Sequence, residues 1–222
     1  MSIFDKLFRT EKLPIAKIKE VYTICFQTFS EDIIDAMQKQ NLVISNQNNI
    51  HIDLNSTTRF TNVMAEYALF LKVCVIHYLK KRGITFSQNE LDKAFPVVEQ
   101  LTDALYSIPE YKKALKSRIN DYFYSINNKI TCGYCMQNYI APHYYSFLDT
   151  LCKEDNTRLA FFFVDCFYYV SKTEKFITSE QILTLKELTF NIGQNESCFY
   201  ENLASTVKSH ATVIEKKLSE II

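Results

Sequence analysis

Glycine and tryptophan are the residues that this 222-residue chain lacks most, with three glycines and no tryptophan. Phosphate-cradling loops and two-residue hairpin turns both need glycine, so three glycines leave almost no material for either. Gly83 and Gly193 each follow a long segment of helical apolar periodicity, at the place where the end of a helix favours glycine. The sequence therefore predicts stacked helices, and it contains no Walker loop or dinucleotide fingerprint.

An excess of charge of either sign is also missing. Lys and Arg together number 25 and so do Asp and Glu, which gives a formal net charge of zero. Proteins that bind nucleic acid usually carry a basic excess, because contacts with phosphates supply most of their affinity. The balance predicts that nucleic acid is not a partner.

No uninterrupted apolar run suggests a signal peptide or a membrane span. The first eight residues contain charged side chains, which argues against a signal peptide. The most apolar segment, 63–79, is interrupted by Glu66, Lys72 and His77, and this pattern favours a buried core helix. Seven cysteines, an odd number, are scattered along the chain and predict reduced thiols. We therefore expect a soluble cytoplasmic protein without membrane insertion.

What the sequence does contain is apolar periodicity of the helical kind. With 47% hydrophobic residues, the chain can bury a sizeable core. The pattern predicts an all-α fold of about seven to nine helices in one domain, residues 1–222, with 63–79 and 159–170 near its centre. Segment 41–54 alternates apolar and polar residues, which allows a small β-hairpin or an ordered loop. A split into two helical lobes has one candidate position, at 129–137.

Local signals predict where individual helices begin and end. Ser30 precedes two acidic residues and resembles a fresh N-cap, so it predicts a second short helix running to about Gln40. Ser87 and Glu90 match a capping box, in which each side chain accepts from the other residue's backbone N–H. Pro96 should kink or split the helix that follows this box.

The last predicted helix, 196–220, carries a seam of apolar residues seven apart with small residues beside it: Tyr200, Val207, Ile214 and Ile221, with Ala204, Ala211 and Leu218. Such a seam either docks within the chain or pairs two chains. It predicts a protein partner or a homodimer through this helix. We expect His210, on the same helix, to lie at the surface.

The only short segment whose residues suggest metal binding or redox chemistry is Cys132-Gly-Tyr-Cys135. Together with His143 and Cys152 it offers four soft and imidazole ligands, the type of set that holds structural zinc. One helix would place His143 and Cys152 about 13 Å apart on different faces, so both could ligate one ion only if that helix were interrupted. The same Cys pair could instead cycle through a disulfide, or be two reduced thiols in a helix connection.

Three further polar residues lie in apolar surroundings and could line a pocket between helices. Glu66 and His77 share one face of the 63–79 helix but stand about 16 Å apart, because eleven residues are close to three turns. Asp165 lies in the most apolar segment, where a carboxylate needs a partner. Each could equally be a core or rim residue that is satisfied by its neighbours.

The function predicted from these observations is a non-enzymatic cytoplasmic interaction protein, of the adaptor, chaperone-like or inhibitor/immunity type. Neither a Ser-His-Asp constellation nor a Glu-x-x-His pair can be assembled from the chain. No cofactor is expected. The alternatives are a structural-zinc or dithiol redox protein centred on Cys132 and Cys135, and a helical ligand binder or enzyme that uses Glu66, His77 and Asp165.

Overall fold

The computed structural model describes residues 14–40, 44–46, 49–51, 57–96, 98, 100, 109–127, 154–173 and 194–222. In chain order these residues form α1 (Ile15–Lys39), β1 (Ile44–Asn46), β2 (Asn49–His51), α2 (Thr57–Lys81), α3 (Gln88–Ala94), α4 (Pro109–Asn127), α5 (Asp155–Thr173) and α6 (Gln194–Ser219). The all-α class is confirmed. Six helices are found in the described part, so the predicted total of seven to nine is not confirmed.

Helices α2 and α5 form the centre of the core, as their apolar composition predicts. Nearly every residue from Asn62 to Leu79 is buried on α2, and every residue from Thr157 to Ser171 is buried on α5. A helix that is apolar all round must be covered on all sides, and α5 packs against α2, α4 and α6. Arg59–Lys81 is long and apolar enough to cross a membrane, but 94% of its most apolar window is buried inside the fold.

Helix α1 runs without a break past Ser30, so the predicted start of a second helix there is wrong. The hydroxyl of Ser30 donates to the backbone carbonyl of Gln27 one turn earlier, at 2.9 Å, instead of capping a new helix. The buried stripe continues in register on both sides of Ser30: Ile18, Tyr22, Cys25, Ile33, Ala36 and Met37. Burial of this continuous face outweighs the local capping signal.

The ends of α2 and α3 follow the sequence signals closely. Gly83 has a φ of 69°, and the N–H groups of Gly83 and Ile84 donate to the carbonyls of Lys80 and Leu79, the two bonds of a Schellman motif. Both hydrogen bonds of the predicted capping box between Ser87 and Glu90 are present at the start of α3. Helix α3 ends at Ala94, two residues before Pro96, in agreement with the predicted break.

Helix α6 lies against α1, α2 and α5. The predicted seam is the buried face of this helix, with Tyr200, Ala204, Val207, Ala211, Ile214 and Leu218 each at most 5% exposed. The seam therefore docks within the chain, and a partner of α6 would have to contact its other face. The homodimer and partner predictions themselves stay predictions.

Strands β1 and β2 pair antiparallel, with Ile44 opposite His51 and Asn46 opposite Asn49, inside the segment 41–54. The candidate boundary at 129–137 lies outside the described residues. Helices from both sides of that segment share one cluster of buried apolar residues. The single-domain assignment stays a prediction.

Candidate functional site

Glu66 belongs to a fully buried polar cluster between α2, α4 and α5. Its carboxylate accepts a hydrogen bond from Nε of Arg118 at 3.4 Å and another from the hydroxyl of Tyr122 at 3.4 Å. The side chains of Glu66 and Arg118 are both 0% exposed. The thiol of Cys166 on α5 also forms a hydrogen bond with Glu66. Three helices thus converge on one carboxylate.

Electrostatics within this cluster favour a charged Arg118. Burial is the largest effect and opposes that charge, but the Glu66 carboxylate together with the other acidic neighbours, Asp121 among them, outweighs it, and the pKa of the guanidinium is raised. Burial, followed by the Glu66 charge, raises the pKa of Tyr122 and the pKa of Cys166. Both of these groups are therefore neutral. The cluster forms a buried polar contact that joins α2, α4 and α5.

The other two predicted pocket residues lie elsewhere. His77 Nε2 is 3.3 Å from a carboxylate oxygen of Asp155, at the first residue of α5. Asp155 and Cys166 are eleven residues apart on one helix, so the His77 contact and the Glu66 cluster are separated by about 16 Å. Asp165 is 2% exposed and adjacent to Cys166. The charge of Asp165 raises the pKa of Cys166, so Asp165 lies beside the Glu66 cluster, whereas His77 is separate from both.

A second polar cluster, on α1, α2 and α6, was not predicted. His210 Nε2 is 3.0 Å from a carboxylate oxygen of Asp32, and His210 Nδ1 is 2.9 Å from the hydroxyl of Tyr67. The ring of Phe29 stacks on the imidazole of His210, with centroids 4.2 Å apart and the rings parallel to within 1°. Tyr67 is fully buried, whereas the side chain of Asp32 is 54% exposed. Tyr67, His210 and Asp32 therefore form a row of polar contacts from the core to the surface.

The prediction that His210 lies at the surface is wrong, since it is only 3% exposed. His210 comes three residues after Val207 and four before Ile214, so it shares their buried face. That spacing was the signal available in the sequence. The partners of His210 lie 143 and 178 residues away along the chain, and spacing alone cannot identify them.

Proton positions in this cluster follow from the chemistry of its members. An ionised carboxylate only accepts hydrogen bonds, so Nε2 of His210 carries the proton that faces Asp32. Burial lowers the pKa of His210, although the Asp32 carboxylate partly opposes that effect. The imidazole is therefore neutral at pH 7, and its Nδ1 accepts from the hydroxyl of Tyr67, whose own pKa is raised by burial.

Asp32 also lines a surface groove between α1 and α6, which we call the α1–α6 groove. Its volume is about 380 Å³, and its α1 wall consists of Asp32, Asp35, Ala36 and Lys39. Phe199 and Leu203 contribute apolar surface from α6, and the exposed thiol of Cys198 lies in the same groove. Glu66, His77 and Asp165 are not among the residues that line it.

No family model, curated protein or solved structure matches this chain. Its function must therefore be argued from the geometry of its own residues.

The predicted zinc or dithiol residues Cys132, Cys135, His143 and Cys152 lie outside the described residues, so both hypotheses stay predictions. Among the residues that the structure describes, no group of three His, Cys, Asp or Glu side chains could hold a metal ion. Cys25, Cys74 and Cys166 are buried free thiols within the core, as the sequence predicts.

Proposed function

We propose that this protein is a non-enzymatic interaction protein and that its α1–α6 groove binds a basic peptide segment of another protein. The observation that carries this proposal is the composition of the groove. Acidic side chains at an exposed edge and apolar side chains beside them suit a peptide that presents Lys or Arg next to an aliphatic residue.

The acidic edge supplies the charge complementarity. Asp32 and Asp35 are one helical turn apart on α1, with side chains 54% and 59% exposed. Asp35 pairs with Lys39 at 2.7 Å, but both side chains are more than half exposed. Exposed pairs of this kind contribute only about 0–1 kcal/mol, so a Lys or Arg of a ligand can replace Lys39 at little cost.

Apolar surface in the groove supplies the second part of the recognition. Ala36 and Leu203 are buried and Phe199 is half-buried, so a ligand side chain placed here would lose contact with water. His210 supports the acidic edge from behind, because its Nε2–H donates to Asp32 and restrains that carboxylate. The edge is thus held by contacts from the core.

Binding is favoured over catalysis by the position of the buried titratable groups. Glu66, Arg118, Tyr122 and Cys166 contact one another inside the core. A catalytic group must come within hydrogen-bond reach of a substrate atom, and these four side chains are 0% exposed. The groups that do line the groove are suited to recognition by charge and apolar contact.

Selection from a random peptide display library on the full chain tests this proposal. We expect enrichment of peptides that combine Lys or Arg with an aliphatic or aromatic residue. Asp32→Asn and Asp35→Asn together should weaken binding of the selected peptides by about a hundredfold, since each removes a charge-assisted hydrogen bond that contributes about 1.5–3 kcal/mol. Asparagine keeps the acceptor that faces His210, so the fold should be preserved.

The matched control is Glu20→Gln, which removes an exposed negative charge from the same helix outside the groove. Its affinity for the selected peptides should equal that of the wild type. Peptides without basic residues, or equal weakening by Glu20→Gln and by the groove variants, would contradict the proposal.

A further inference from the structure

A second cleft lies further along α6, where the C-terminal ends of α2 and α6 meet; we call it the α2–α6 cleft. Its volume is about 500 Å³, and its lining includes Tyr78, Lys81, Arg82, Glu215 and Lys216. Three of these side chains are cationic and one is a carboxylate. The cleft is therefore positively charged, in contrast to the α1–α6 groove.

The carboxylate in the cleft is already engaged. Glu215 accepts from Nζ of Lys81 at 3.5 Å and from Nδ2 of Asn156 at 2.9 Å. Within the described part of the chain, Arg82 and Lys216 form no ion pair, and the guanidinium of Arg82 lies 6.0 Å from the centre of the Tyr78 ring. Two cationic side chains are thus available to an anion that enters the cleft.

Tyr78 is the observation that distinguishes this cleft from an ordinary basic surface. The residue is 5% exposed, and its hydroxyl is buried without a hydrogen-bond partner among the residues that the structure describes. Leaving a buried polar group unsatisfied is unfavourable, so a hydroxyl in this state is normally explained by a ligand or an ion. An anion that enters the cleft would supply the acceptor that this hydroxyl lacks.

Helix dipoles account for only part of this arrangement. Lys80 and Lys81 lie in the last turn of α2, and Lys216 and Lys217 in the last turn of α6, where positive charge complements the negative end of the dipole. That effect explains why lysines accumulate at these two ends. It does not explain a buried tyrosine hydroxyl without an acceptor in the wall of the same cleft.

We propose that the α2–α6 cleft binds the phosphate group of a phosphorylated ligand, held by Arg82, Lys216 and a hydrogen bond from the hydroxyl of Tyr78. Phosphate fits this donor set better than a carboxylate does. It carries up to two negative charges and three terminal oxygens, which match two cationic side chains and one neutral donor. This site is independent of the α1–α6 groove.

The test is an NMR titration of the full chain with inorganic phosphate, compared with sodium chloride at equal ionic strength. We expect saturable shifts of the backbone amides in 78–82 and 212–219 with phosphate alone. Arg82→Gln and Lys216→Gln should each weaken phosphate binding by about tenfold, because each removes a charge-assisted contact. Lys19→Gln removes an exposed positive charge of α1 and should leave binding unchanged.

Tyr78→Phe separates a ligand contact from a structural role. The variant removes a hydroxyl that has no hydrogen-bond partner in the described part of the chain, so its thermal midpoint without phosphate should not fall. Its affinity for phosphate should nevertheless fall by about tenfold. Wild-type affinity in Tyr78→Phe, or the absence of saturable shifts together with no binding to phosphatidic acid vesicles, would overturn the proposal. Binding to those vesicles alone, lost in Arg82→Gln, would identify a lipid headgroup as the source of the phosphate.

Discussion

Glu66 and Arg118 depend on each other because neither side chain contacts water. Removing one partner leaves the other charge buried without compensation, which typically costs about 3–5 kcal/mol. Glu66→Leu should therefore lower the free energy of unfolding by that amount in urea denaturation. The double variant Glu66→Leu with Arg118→Met removes both charges, and we expect it to be more stable than Glu66→Leu alone.

The surface pair Asp35–Lys39 is the matched control for this experiment. Its members are 2.7 Å apart but more than half exposed, so Asp35→Ala should change the free energy of unfolding by less than about 1 kcal/mol. Equal losses in Asp35→Ala and Glu66→Leu would show that the Glu66 cluster does not carry the stability inferred from its burial.

At the scale of residues, the sequence identified Glu66, His77 and Asp165 as polar groups in apolar surroundings, and all three are mostly buried. It could not identify their partners, because Arg118 lies 52 residues from Glu66 and is brought close only by helix packing. The burial of His210 was predictable from its place between Val207 and Ile214 on the buried face of α6.

At the scale of a single helix, Gly83 at the C-terminal end of α2 allows a prediction about stability. Its φ of 69° is unfavourable for residues with a Cβ, and nothing lies within 4 Å of the position that a Cβ would take. Gly83→Ala should therefore cost about 1–2 kcal/mol from backbone strain alone, measured as a lower free energy of unfolding. Gly83→Asn should cost less, because asparagine adopts the left-handed region more readily.

A Gly83→Ala variant as stable as the wild type would mean that the chain can leave α2 without the left-handed residue. In that case the hydrogen bonds from Gly83 and Ile84 to the last turn of α2 would contribute little to the end of the helix.

Element boundaries were predictable where a residue had a stereochemical constraint and unpredictable where it had only a preference. Gly83, the Ser87–Glu90 box and Pro96 impose geometry directly, and the structure follows each of them. Ser30 has only a preference for the N-cap, which the buried stripe of α1 overrides. Burial of apolar side chains is also the reason why α2 and α5 could be recognised as central from their composition.

At the scale of the whole molecule, His77 and His210 are the histidines of the described residues whose pKa is lowered by burial, and they predict how stability responds to pH. Burial lowers the pKa of His77 and the pKa of His210 below the ordinary value of 6.5. Between those lowered values and 6.5 the unfolded chain binds more protons than the folded protein, so acidification favours unfolding. We expect the free energy of unfolding to be fully retained above about pH 6.5 and to decrease as the pH falls below it.

Urea denaturation at a series of pH values measures this effect. The free energy of unfolding of His210→Gln should decrease more gradually with falling pH than that of the wild type, since this variant lacks one of the two imidazoles. The exposed Glu154, whose pKa is lowered from 4.5 by Lys208, affects stability only at lower pH and does not interfere. A rise in stability on acidification below pH 6.5 would contradict the burial of both imidazoles.

At the scale of the molecule, the fold class and the core helices could be predicted from the sequence, but the faces along which the helices contact one another could not. The α1–α6 groove forms where α6 packs against α1, and the α2–α6 cleft forms where α6 packs against α2. Their residues come from segments more than 100 positions apart.

The placement of the cysteines gives the α1–α6 groove its own attachment point for a spectroscopic probe. Burial raises the pKa of Cys25 to about 11 and raises those of Cys74 and Cys166, which makes these thiols slow to react. Cys198 is exposed in the groove. A maleimide dye on Cys198 would report peptide binding through its fluorescence, and Cys198→Ser would correct for labelling of the cysteines outside the described residues.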